Sequence, residues 1–303
     1  MNGIQNGYKG IGVSIIGYTK HPAKVMWDML KQTWIELQNI EYDPNLPIVR
    51  EFITGSLERR LNPTPQETVM IQAVFHNISR VNLAQLTRHR GWLFQVESQM
   101  PQHVKHNVVL PLNIVQSEFY ERAVKLIEES QKLYDDMTRG NDDGRDHTVI
   151  PYQDARYLLM HGQTCDASCS FTLPQLVNVC GQRLENNTAD EINYAFRHLL
   201  KELNKAIALD EEMDELDKMV YEVNLGRCDA FGANQKKCFT GDDVFGNSFK
   251  RFPDGNPNVT KVTENCKFDY SKSAWYAELK RIYDEEPELL LDGEREMIES
   301  WED

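Results

Sequence analysis

The sequence predicts an α+β fold in which long helices dominate a few short strands, followed by an appended C-terminal segment. Three observations predict it. Residues 11–17 and 69–75 carry strand patterns, residues 116–139 and those after Asp190 carry helical patterns, and the composition shifts around Gly226. The chain has 303 residues, 41% hydrophobic and 26% charged, with a mean hydropathy of -0.55. That length supports a sizeable core and excludes a small stapled scaffold. No window approaches the roughly 18 uninterrupted apolar residues that a membrane helix needs.

The elements follow in order. Residues 11–17 read as a short buried strand, and Pro22 then opens a helix with Val25, Met26, Met29, Leu30, Trp34 and Leu37 on one face. After a polar loop, Thr64-Pro65-Gln66-Glu67 has the form of a capping box, with Thr64 as cap and Glu67 reaching back to its amide. Val69, Ile71, Ala73 and Phe75 alternate along a half-buried strand, and Ser79 can cap the helix that ends at Arg88-His89-Arg90. Residues 91–112 lack regular features, and so long a loop in a compact domain is usually functional. Residues 116–139 form an amphipathic helix with Phe119, Ala123, Val124, Ile127, Leu133, Tyr134 and Met137 inward, closed by Gly140. A short helix over 151–160 carries Arg156, and a helix over 173–184 carries Asn178 and Arg183. Thr188-Ala189-Asp190-Glu191 is a second capping box before a long helix with Ile192, Ala195, Phe196, Leu199 and Leu203 inward. We therefore expect a main folded part at 1–225 and an acidic extension at 226–303, with one short helical stretch near Trp275–Tyr283.

The net charge of -14 argues against a general polyanion binder, nucleic acid included. After residue 200 there are 25 acidic and 14 basic residues, so an anion site is expected earlier in the chain. Met1–Lys9 is polar and lacks a secretion signal, which leads us to expect a cytoplasmic protein. Cys165, Cys169, Cys180, Cys228, Cys238 and Cys266 form no paired metal motif and read as free buried thiols. A zinc site built on the last three is the alternative, and we assign no metal ligands.

Arg88-His89-Arg90 holds three potential cations together in an acidic chain. Such a cluster is either a solvated surface or a site for phosphate, which guanidinium groups bind with two parallel hydrogen bonds. Ser98 follows Arg90 after seven residues, Gln85 precedes Arg88 by three, and Arg156 and Arg183 are 27 residues apart. The combination resembles the flavin-dependent thymidylate synthase family, whose motif is Arg-His-Arg, seven residues, then Ser. The Thr64-Pro65-x-Glu67 element, Asn178 and Glu191-Ile192 fall in the same register, and the resemblance covers residues 10–205. The family's glycine pattern differs from a dinucleotide fingerprint, and here too Gly10-Ile11-Gly12 precedes a strand instead of following one.

The resemblance implies a small, mainly antiparallel sheet flanked by long helices, and sites shared between the subunits of a homotetramer. It implies reductive methylation of dUMP to dTMP with FAD as cofactor and methylene-tetrahydrofolate and NADPH as cosubstrates. Gln85, Arg88, Ser98, Arg156 and Arg183 would bind the pyrimidine nucleotide. Arg183 would also polarise the uracil carbonyl edge, with Ser98 beside it and no covalent role for the serine, since no base partner is evident. Thr64, Glu67, Arg88, His89, Arg90 and Asn178 would line the flavin. The chain departs from the family pattern at Asn62, Leu93, Val96, Met100, Thr172 and Pro174, with Lys105 or His103 as substitute phosphate ligands. These departures motivate two alternatives: a related flavoenzyme acting on another pyrimidine nucleotide, or a non-catalytic homologue that binds nucleotide or nucleic acid.

Overall fold

In the computed structural model, the described residues are 3–99, 104, 106–139, 149–184, 188–233, 274–290, 295 and 298. In chain order the elements are β1 (Ile4–Asn6), β2 (Gly12–Tyr18), α1 (Pro22–Thr33), α2 (Pro47–Leu57), β3 (Met70–Ser79), α3 (Arg80–Leu86), β4 (Leu93–Val96) and β5 (Val108–Leu110). There follow α4 (Leu112–Val115), α5 (Tyr120–Arg139), α6 (Tyr152–Ala155), β6 (Thr164–Thr172), α7 (Leu173–Arg183), α8 (Asp190–Ala208), α9 (Glu215–Ala233) and α10 (Ala274–Glu285). The chain divides into two compact units: Met1–Tyr18, Met70–Phe171 and Asp190–Ala195 form the first, and Thr19–Val69, Thr172–Ala189 and Phe196–Asp303 the second.

The first unit is built on a four-stranded sheet of order β2-β3-β6-β4, with antiparallel pairing of β2 to β3 and of β4 to β6. Ile71, Ala73 and Phe75 of β3 are fully buried, as their alternation requires, because successive side chains of a strand face opposite sides. β6 repeats the device with Cys165, Ala167, Cys169 and Phe171 inward. A separate two-stranded ribbon pairs β1 with β5 in parallel, so the stretch read as an irregular loop over 91–112 supplies two short strands. On α5, Ile127, Tyr134 and Thr138 are buried, while Phe119 and Leu133 lie outside, against expectation. The inward stripe is narrower than the apolar count suggested. Gly140, the expected helix stop, lies outside the described residues.

In the second unit, α9 packs against α7, α1 and α2. α1 buries Pro22, Ala23, Met26, Trp27 and Leu30, whereas Met29 and Trp34 are partly exposed, so the apolar face is turned toward Trp27 relative to the expected one. No neighbouring side chain caps α1. Asp217 of α9 does so instead, accepting from the Ala23 amide at 3.0 Å and lying 3.0 Å from His21 Nδ1. The polar loop expected after α1 contains α2. The predicted inward residues of α8, from Ile192 to Leu203, are fully buried.

Cys165, Cys169, Cys180 and Cys228 are free and buried, as read from the sequence. Cys238 and Cys266 lie outside the described residues, and among the described residues no cluster could hold a metal ion. Burial pushes the Cys165 thiol up to about 11 and that of Cys169 to about 12. Alkylation at about pH 8, read by mass spectrometry, is expected to leave both unmodified in the native protein and to modify both after denaturation. Labelling of either in the native state contradicts this.

Candidate nucleotide and cofactor site

In the first unit the site begins at Ser79. Its hydroxyl caps α3 by accepting from the Asn82 amide at 3.0 Å, while its own amide and hydroxyl donate to Glu191 at 2.7 and 2.6 Å. Burial raises the Glu191 carboxyl above its usual range, and the two Ser79 donors oppose that rise. This pair fixes the start of the helix that delivers Gln85 and the basic triplet. Beyond α3, Gly91 adopts φ +86, a left-handed turn that suits glycine. The turn sends Trp92 inward, where it stacks on Phe171 with centroids 4.0 Å apart, and His89 lies 5.8 Å from the same indole. Arg88 and Arg90 are exposed on either side of a half-buried His89.

Ser98 is exposed just past β4. The preceding residue is fixed twice: the Glu97 amide donates to Asp166 O at 3.0 Å, and Arg80 Nη2 donates to Glu97 O, also at 3.0 Å. Arg156 follows α6, is half-buried, and donates through Nε to Gln153 O at 3.1 Å. It makes no ion pair with Asp154 among the described residues. Arg156 and Arg80 instead line one open cleft of about 320 Å³, with Gln99, Met160 and His161. Gln85, Arg88 and Arg90 are not among its lining residues. Met100, His103 and Lys105 lie outside the described residues.

Sequence reasoning missed Arg80. A signal was available, because Arg80 occupies the first position of α3, where the helix dipole disfavours a cation and no acidic residue compensates in the first turn. Its Nε is buried without a hydrogen-bond partner, and an orphaned charged donor beside a cleft can be met by a ligand anion.

The second unit holds Thr64, Glu67, Asn178 and Arg183. The expected capping box at Thr64 is absent, because Asn62 Oδ1 takes the Thr64 amide at 3.0 Å and residues 64–68 form only a short 3-10 turn. Within that turn Gln66 points inward and Glu67 outward. Gln66 donates to Ser56 O at 2.8 Å and accepts from Asn224 at 3.2 Å, while Arg227 donates to Asn224 at 3.0 Å and to Leu57 O. Glu67 accepts from Thr172 Oγ1 at 2.6 Å. Thr172, read as a departure from the family pattern, is the N-cap of α7 in a complete capping box with Gln175. The second expected box also fails: Thr188 donates to Gln182 O, and Glu191 is turned to Ser79. Asn178 is exposed on α7, so its polar head costs no burial. Arg183 closes α7, where a cation complements the helix dipole, and burial lowers its guanidinium below the ordinary value.

These features define an α+β protein with a cationic surface cleft. The chain belongs to the family described as thymidylate synthase complementing protein, whose profile matches residues 14–207. No curated protein matches it. Among solved structures it is similar to a UMP/dUMP methylase PolB from Streptomyces cacaoi bound with 5-Br dUMP, at 16% identity and TM-score 0.55, covering 76% of this chain and 98% of that one. The same methylase bound with 5-Br UMP matches at 15% identity and TM-score 0.52, over 76% and 97%. Thymidylate Synthase X from Helicobacter pylori with FAD and dUMP matches at 15% identity and TM-score 0.47, over 71% and 99%. The PolB likeness shows a shared fold, and the expected small antiparallel sheet with helices is present. Among the described residues no helix is long and apolar enough to cross a membrane.

Proposed function

We propose that this chain is a flavin-dependent methyltransferase that converts dUMP to dTMP with methylene-tetrahydrofolate and NADPH. The observation that carries the reading is the pairing of Arg156 with Arg80 in one cleft beside the Ser98 loop, in a chain of this family. Two guanidinium groups match a phosphate dianion in charge and in bidentate geometry. Arg156 and Arg80 grip the nucleotide phosphate, Gln85 and Arg88 hold the nucleotide from outside that cleft, and Ser98 lies against the sugar or base. Arg183 stabilises the negative charge that grows on the uracil carbonyl edge as the ring attacks the one-carbon unit.

The residues assigned to the cofactor fit a flavin dinucleotide. Thr64, Glu67 and Asn178 are exposed, none caps a helix, and together they offer hydroxyl, carboxylate and amide groups. His89, Arg88 and Arg90 add an aromatic face and charges for a diphosphate. When bound, FAD supplies the hydride that completes the methyl group. The working assembly is a cytoplasmic homotetramer with shared sites. Residues 1–225 carry catalysis and 226–303 are an extension, with the junction inside α9.

The test is purification and turnover. A yellow protein with flavin absorbance, releasing dTMP from dUMP with both cosubstrates, is expected. A colourless protein that takes up no added FAD overturns the reading. Running UMP and dCMP beside dUMP identifies the preferred pyrimidine.

A further inference from the structure

The second unit contains another cleft, of about 450 Å³, lined by α8, α9 and the segment from Pro287 to Leu290. That volume falls in the range of small-molecule sites, roughly 300–1,000 Å³. Glu222, Gly226, Glu288 and Arg295 of its lining lie beyond the family-matched residues 14–207.

Its charge runs against its surroundings. The chain after residue 200 is strongly acidic, yet Arg197, Lys201 and Arg295 converge on this one cleft, with the Asn204 amide beside them. Arg197 is the deepest of the three, only 1% exposed, while Arg295 is exposed. Among the described lining residues the opposing carboxylates are Glu222 and Glu288, and Glu288, itself exposed, is engaged with the half-buried Lys201 at 3.0 Å.

A second, independent observation is Gly226. It sits inside α9, where glycine costs about 1 kcal/mol relative to alanine. A Cβ at this position would meet nothing within 4 Å. Close packing therefore does not demand the glycine, and neither does a left-handed backbone, since Gly226 is not among the positive-φ residues. What it does is keep one wall of the cleft open.

We propose that this cleft binds a small phosphorylated molecule, with Arg197, Lys201 and Arg295 as the phosphate contacts and Gly226 leaving room for the body of the ligand. The expectation that any anion site lies before residue 200 rested on summed charge, and a sum cannot show three cations of a helix and a distant tail meeting in space.

The probe is inorganic pyrophosphate, titrated calorimetrically into the full chain. The Arg156 cleft can also take this anion, so the measurement is made in an Arg156→Ala background. Binding at one site per chain is expected there, weakened at least tenfold by Arg295→Gln and abolished by Gly226→Phe. Gly226→Ala retains binding, and Glu222→Gln tightens it severalfold, a gain that a merely structural role would not produce. Circular dichroism and the melting temperature verify the fold of each variant. Arg295 is exposed, so its variant reports even where Gly226→Phe fails to fold. No pyrophosphate binding in the Arg156→Ala background, or binding indifferent to Arg295→Gln, overturns the proposal. Neither result bears on methyl transfer, which the turnover assay reads separately.

Discussion

Arg156→Ala is expected to lower kcat/KM for the pyrimidine nucleotide by about 100-fold, the equivalent of losing one bidentate charge-assisted contact to phosphate. The side chain is half-buried in its cleft and spends one donor on Gln153 O, leaving the rest of its fork for a ligand. Phosphate lies away from the reacting carbon, so its binding energy serves to hold and orient the ring, and both KM and kcat are expected to suffer. Arg156→Lys recovers only part of the loss, because an ammonium carries the charge without the planar fork. Steady-state kinetics on the three proteins decides the matter. An unchanged kcat/KM in Arg156→Ala removes this residue from the site.

Ser79→Ala is expected to destabilise the fold by about 2–4 kcal/mol, combining the loss of a helix cap with the loss of a hydrogen bond to a buried carboxylate. The effect depends on pH with a definite sign. The Glu191 carboxyl is raised above its unfolded value by burial, so its contribution to stability is full below the ordinary carboxylate range and is lost as pH rises through the folded value. Ser79 stabilises the ionised form. Removing its hydroxyl raises the folded value further, so the penalty is greater at neutral pH than in mild acid. Thermal melts between about pH 5 and 8 are expected to show wild type and variant diverging as pH rises. A gap that is constant across that range counts against the Glu191 account.

The sequence showed what depends on neighbours along the chain. Ser79 was legible as a cap because its partner amide is three residues away, and β3 and α8 were legible because their periodicity is intact. β6 has an equally clean period of two, but it is written in Cys, Ala and Ser, which are not typical strand formers, and so it passed unseen. The two capping boxes at Thr64 and Thr188 failed because their acidic members have stronger engagements elsewhere, Glu67 with Thr172 and Glu191 with Ser79. Asp217 caps α1 from almost 200 positions away, a relation that no local pattern could reveal. The motif residues identified the family, but the partner of Arg156 in its cleft is Arg80, which belongs to no motif that was read.

The hydrogen-bonded chain from Arg227 through Asn224 to Gln66 has a further consequence. Gln66 sits between Thr64 and Glu67; besides its bond to Ser56 O it is held by Asn224, which Arg227 fixes in turn, and both of these come from a helix that starts past the family-matched residues 14–207. A shortened chain that stopped at residue 207 would leave the buried Gln66 Oε1 without its donor, beneath the very segment assigned to the flavin. In this chain α9 is part of what holds that segment in place.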